Sequence, residues 1–212
     1  MLKIWGRTTS SNVQKVMWAV AELGLAHERV DAGGAFGGLD TAEYGAMNPN
    51  RLVPTVDDGG TVLWESNAIV RYLAVKYGEG TLAPRDLGER ARADRWMDWQ
   101  ISTIGPNWGR MFLGLVRTPP SKRNMAEIDA AVERLGESYR ILDAQLAGRD
   151  YIMGDHLTMA DIPLGVSLYR YYELDVKRPS LPNVEAWYAR LKARPAYAKH
   201  AMVPFASLMV SD

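Results

Sequence analysis

Glu65 and Ser66 stand directly before an apolar helical pattern, Ile69, Val70, Leu73 and Val75, which Gly78 stops. The spacing predicts Ser66 at or near the N-cap. There the free N–H groups of the first turn and the positive end of the helix dipole can hold a carboxylate. Glu65 beside it can accept from an ammonium. An anion site and an acceptor side by side match an α-amino acid head group. Just upstream, Val53-Pro54 opens a short strand, Thr55 to Asp57. Proline lacks an N–H and gives its preceding bond ready access to cis. A cis bond would turn the Val53 N–H and C=O outward, where an extended peptide could pair with them as an added strand. Each feature has a plainer reading: an ordinary proline at a strand start, and a helix cap. Together they describe a surface for the backbone and α-amino end of a small peptide.

Composition narrows the chemistry. The chain has 212 residues and no cysteine. It therefore has no disulfide, no thiolate metal site and no cysteine nucleophile, and any thiol chemistry must use a thiol brought by a ligand. His27, His156 and His200 lie far apart and match no metal-binding spacing, so no metal is expected. Twenty-five basic and twenty-five acidic residues balance, which gives no reason to expect nucleic acid or a membrane surface as partner. No apolar run approaches membrane-spanning length, and the start lacks a cleavable signal pattern. A cytoplasmic location is the expectation.

The elements that must position these residues divide near Gly78. Before it, Leu2 to Trp5 reads as a strand, and Val13 to Leu23 as a helix with Val13, Val16, Met17, Val20 and Leu23 on one face. His27 to Val30 reads as a second strand. Asp58-Gly59-Gly60 turns a hairpin whose returning strand is Thr61 to Trp64. Leu39 to Met47 holds a short helix. The glycine run before it (GGAFGG) lacks the Lys-Ser/Thr ending of a phosphate loop and reads as a connecting loop. Strand-helix-strand, then hairpin and helix, is the thioredoxin-like order. After a Gly- and Pro-containing linker, only helical patterns remain. The expected organisation is residues 1–78 as an α/β thioredoxin-like unit, 79–88 as linker and 89–212 as an all-α unit. A long helix over Arg90 to Val116 should bend at Gly105-Pro106, and a second runs from Met125 to Leu146. Shorter helices are expected over Met159–Tyr172, Val184–Lys192 and Ala196–Met202. Thr158-Met159-Ala160-Asp161 reads as a capping box, with Thr158 capping the helix and Asp161 returning a bond to the Thr158 N–H.

Three separated motifs now carry a resemblance. The stretch NPNRLVPTVDDGGTVLWESNAIVRYL resembles the glutathione site of cytosolic glutathione transferases. MLKIWGRTTSSNVQKV resembles their first strand and active-site turn, and HLTMADI their buried capping motif. The resemblance covers essentially the whole chain. It implies the glutathione transferase fold and an enzyme that conjugates the glutathione thiolate to small hydrophobic electrophiles in detoxification, with peroxidase activity as an addition. Glutathione is the implied co-substrate and a homodimer the implied assembly. The turn is similar to that of the serine-type classes (theta, delta and related bacterial groups), since it carries no tyrosine.

What the resemblance implies for residues follows position by position. A hydroxyl beside the glutathione sulfur would donate to the thiolate and lower its pKa, aided by the N-terminus of the first helix. Ser10 matches the family serine; Ser11 and Asn12 are the alternatives, and the plainer reading is that these residues only cap the helix. Val53 would pair with the cysteinyl backbone, and Glu65 and Ser66 would hold the γ-glutamyl head. Arg51 matches a position that meets the glycyl carboxylate, or is a solvated surface arginine. The second-substrate pocket would lie between the two units, with Trp108, Met111, Phe112 and Leu115 as candidate walls together with Phe205 and Leu208; such stripes also form cores. Two other functions stay open: a glutathione-dependent isomerase, which the zeta class pairs with a Ser-Ser-Cys start where this chain has Ser10-Ser11-Asn12, and a binding module that has lost turnover.

Overall fold

The computed structural model describes residues 1–212. Its first unit is a four-stranded mixed sheet: β1 (Leu2–Trp5), β2 (His27–Val30), β3 (Thr55–Asp58) and β4 (Thr61–Trp64), in spatial order β2-β1-β3-β4. β1 and β2 are parallel, joined through α1 (Ser11–Glu22), while β3 is antiparallel to both β1 and β4. Central register places Ile4 opposite Val56, and both are fully buried. The hairpin turns at Gly59 and Gly60, whose φ of 63° and 97° suit a two-residue turn that splays neither strand. α2 (Ala42–Met47) precedes β3, and α3 (Ser66–Gly78) follows β4. α1 and α3 pack together; a Cβ at Gly78 would lie 2.5 Å from Leu23 Cδ2, so a larger residue there would make the Leu23 side chain move.

The second unit is helical throughout. α4 (Leu87–Trp99) begins three residues ahead of the expected Arg90, because Asp86 caps it by accepting from the Glu89 N–H at 2.9 Å. The helical path then runs on to Arg117 without a break. A π-helical turn (Gln100–Ile104) leads into α5 (Gly105–Phe112), and a second (Leu113–Arg117) ends it. The expected irregularity at Gly105-Pro106 is thus a wider turn just before the proline, which leaves room for the missing N–H donor. α6 (Met125–Leu146) matches its expected bounds; α7 (Asp161–Glu173), α8 (Pro182–Lys192) and α9 (Pro195–His200) follow.

The capping box before α7 is half as expected. Asp161 returns its bond to the Thr158 N–H at 2.9 Å, but the Thr158 hydroxyl donates to the same carboxylate instead of capping. The carboxylate also accepts from the Ile152 N–H and the Trp187 indole at 3.0 and 3.1 Å. It is a buried knot between a loop, α7 and α8.

Both units share one apolar cluster, from Ile4 and Val56 through Trp18 to Leu135 and Trp187. Polar fasteners cross the same seam. Arg194 clamps Glu22 at 2.6 and 2.8 Å, Arg71 of α3 binds Asp94 and Asp98 of α4, and the Asn67 amide donates to the Met97 carbonyl at 2.8 Å. The cleft lies along this seam.

Candidate active site between the two units

Two helix N-termini converge on one cavity. α1 starts at Ser11 and α3 at Ser66, and both serines line a cavity of ≈ 320 Å³ with Asn12, Lys15 and Glu65. Each terminus carries partial positive charge and unspent N–H groups. The Ser66 hydroxyl donates to the Asn12 amide oxygen at 3.3 Å, which ties the two starts together. Ser66 is the first helical residue, next to the N-cap, as its expected place at or near the cap allows. The cap position falls on Glu65, whose backbone has φ 72° and whose side chain makes no capping bond. A non-glycine residue in this region is strained, and such strain persists where surrounding structure imposes it. Here it leaves the exposed Glu65 carboxylate unspent on the cavity wall.

Lys15 was not among the residues singled out from sequence. It lies one turn beyond Ser11, is buried, and donates to Gln100 Oε1 at 3.0 Å. Burial lowers its ammonium to about 8, while the Glu65 charge pulls it back up. Gln100 reaches it from the first π-helical turn, which also brings Ile101 to the cavity. The remaining wall comes from Gly105, Trp108 and Gly109 of α5 and from Pro163, Val166 and Ser167 of α7. The Trp108 indole donates to the Ser167 carbonyl at 3.0 Å and closes the gap between these helices.

The other expected site residues fall as follows. The Val53-Pro54 bond is cis, and the Val53 N–H and C=O have no hydrogen-bond partner within the chain. Ser10 is the N-cap of α1, its oxygen 3.5 Å from the Val13 nitrogen, and it is not part of the cavity wall. That bond uses a lone pair, so the hydroxyl proton is unspent. The Arg51 guanidinium donates to the Leu39 and Thr41 carbonyls at 2.8 and 3.0 Å, which makes it a clamp on the loop before α2. Of the four pocket candidates, Trp108 lines the cavity. Met111 does not: it is wholly buried in the core, because its face of α5 turns inward. Phe112 is also buried and stacks on Trp108 at 5.0 Å, and Leu115 packs against the core.

A thioredoxin-like sheet unit joined to a helical unit, with a cleft bearing two helix N-termini and an open backbone edge, defines a receptor for a small peptide. Comparison with known proteins makes the class specific. Residues 9–76 match the family "Glutathione S-transferase, N-terminal domain" and residues 107–195 match "Glutathione S-transferase, C-terminal domain". The chain is 40% identical over 206 residues to the glutathione S-transferase GstB of Escherichia coli K12, covering 96% of this chain and 99% of that one. It is 30% identical to glutathione S-transferase 4 of Zea mays, covering 94% and 92%. Among solved structures, a theta class glutathione S-transferase of Xanthomonas axonopodis pv. citri with glutathione bound aligns with a TM-score of 0.91 and 49% identity, covering 96% of this chain and 98% of that one. The chain belongs to the glutathione S-transferase family.

Proposed function

We propose that this protein binds glutathione across the cleft and conjugates its thiolate to a small electrophile. The observation that carries the reading is the single cavity wall on which Ser11, Asn12 and Lys15 of α1 meet Glu65 and Ser66 at the start of α3. The Glu65 carboxylate receives the γ-glutamyl ammonium. Its α-carboxylate rests on the N-terminus of α3 and the Ser66 hydroxyl, with Lys15 as the nearby cation. The unpaired Val53 N–H and C=O pair with the cysteinyl residue. That placement directs the sulfur to the N-terminal turn of α1, where helix potential and a hydroxyl donor favour the thiolate. Ser10 is the donor in this reading, because its proton has no acceptor in the chain. Residues 1–78 supply glutathione binding, and 89–212 supply the second-substrate wall at Trp108. The protein acts in the cytoplasm as a homodimer; Phe36 and Leu52, 59% and 63% exposed, are large apolar side chains that a second copy would cover.

The test compares Ser10→Ala with Ser11→Ala, using glutathione and an aryl halide at neutral pH. Ser10→Ala lowers kcat by about tenfold or more with little change in KM for glutathione, since only the thiolate loses its donor. A larger loss in Ser11→Ala moves the role to the neighbouring residue on the cavity wall. If neither variant differs from wild type, hydroxyl stabilisation of the thiolate is refuted.

A further inference from the structure

Arg170 stands against the active-site turn, and the charges of Arg7 and Arg117 reach it; none of the three has an acidic partner. Arg170 of α7 is 3% exposed. Its Nη2 donates to the Thr9 carbonyl at 2.6 Å, immediately before Ser10, while its Nε has no partner. The guanidinium lies over aromatic faces, 4.6 Å from the Phe112 ring, 5.6 Å from Phe205 and 6.0 Å from Trp108. Arg7 leaves β1 into the same turn and packs on the glycine run; a Cβ at Gly33 would lie 3.1 Å from Arg7 Nη1. Arg117 closes the second π-helical turn and is exposed. None of the three forms an ion pair. After burial, the charges of Arg117 and Arg7 lower Arg170, and that of Arg117 lowers Arg7. A buried guanidinium with an unspent donor among like charges is costly unless something anionic arrives.

We propose that Arg7, Arg117 and Arg170 form an anion subsite for the second substrate, a small electrophile that carries a carboxylate on an unsaturated or aromatic frame. The proposal rests on the glutathione-conjugating reading and replaces a purely hydrophobic electrophile with an anionic one. Two observations point to the electrophile. Arg170 and Arg117 belong to the helical unit, and Trp108, whose ring lies 6.0 Å from the Arg170 guanidinium, lines the cleft, so the frame can stack on Trp108 while the carboxylate turns toward the guanidinium groups. The glycyl carboxylate of glutathione is the other source of the same chemistry, and the experiment separates the two.

The probes are 4-chloro-3-nitrobenzoate and 4-chloro-3-nitrobenzamide, which share a ring and differ in charge. In both, the glutathione sulfur attacks the chlorine-bearing carbon. A C–S bond forms, the C–Cl bond breaks, chloride leaves with the bonding pair, and the thiol proton passes to water. The rate constant kcat/KM is measured for each probe on wild type, Arg117→Gln and Arg117→Lys. Binding of the unreactive 3-nitrobenzoate and 3-nitrobenzamide is followed in parallel by tryptophan fluorescence. The expected result is a carboxylate-over-amide preference of about tenfold or more in wild type, collapsing toward unity in Arg117→Gln and partly restored in Arg117→Lys. Binding shows the same order. Equal treatment of the two probes, or a preference untouched by Arg117→Gln, overturns the subsite. So does an Arg117→Gln effect that appears as a raised KM for glutathione with both probes alike, which assigns the cluster to the tripeptide. Turnover of neither probe refutes the conjugating reading instead, and the binding arm still decides the anion preference.

Discussion

Replacing Asp161 with alanine probes the knot that holds the α7 wall of the cleft. In the native chain its fully buried carboxylate accepts from the N–H groups of Ile152, Thr158 and Trp187 and from the Thr158 hydroxyl. Asp161→Ala strands three N–H donors, while the hydroxyl can turn elsewhere. A stranded buried donor costs about 1–3 kcal/mol, so the gross loss is about 6 kcal/mol. An opposing effect reduces it. Burial pushes the Asp161 carboxyl up to about 6, roughly two units above its unfolded value, so the ionised group is disfavoured in the native state by about 3 kcal/mol. The net loss at neutral pH is about 3 kcal/mol, a large share of the roughly 5–15 kcal/mol of a typical domain. For a chain of this size that lowers Tm by about 6–12 °C.

The pH dependence gives the second half of the test. The native state holds this proton more tightly than the unfolded state. Its contribution is therefore fully present below about pH 4 and is lost as pH rises through about 6. Between about pH 8 and pH 5 the wild type recovers about 1 kcal/mol from this group, and the alanine variant recovers none. The Tm gap between the two proteins widens by about 3 °C at the lower pH, and other titrations cancel in the difference. Circular dichroism melts at both pH values read it. A gap below about 2 °C, or one that narrows at the lower pH, shows that the four donors do not depend on this carboxylate.

Glu65→Gln weakens glutathione binding by about tenfold, as isothermal titration with S-methylglutathione will show; unchanged affinity removes the ammonium contact from the reading. Lys15 is lowered to about 8, so its positive charge is present below that pH and lost above it. S-methylglutathione has no thiol to ionise, and its Kd rises more steeply between about pH 7 and pH 9 in wild type than in Lys15→Met; equal slopes refute the role. Light scattering at micromolar concentration reads a mass near twice the 23.6 kDa of one chain. A mass of one chain that holds on tenfold concentration removes the dimer.

What the sequence made legible was local. Ser10 to Asn12 and Val53 to Ser66 are short runs whose turn, cap and strand chemistry is written in neighbouring residues, and of these Ser11, Asn12, Glu65 and Ser66 line the cavity while Ser10 caps α1 beside it. Lys15 escaped because its meaning depends on Gln100, 85 residues away, and on a π-helical turn that a regular period does not reveal. Met111 failed in the opposite sense: a methionine and aromatic stripe has the same spacing whether it faces a ligand or the core, and only the packing of α5 on α6 decides. Arg170 is the strongest case. In sequence it is an ordinary arginine near a helix end; its significance comes from α7 crossing the active-site turn, which buries it against Thr9 with no carboxylate in reach. The first unit's local runs supply the residues that the proposed glutathione site uses, although β1 pairs with the distant β3 and Ser66 meets Asn12 only across 54 residues. In the proposed anion subsite, what the glutathione thiol attacks is set where distant helices meet, by the arginine charge they leave unpaired.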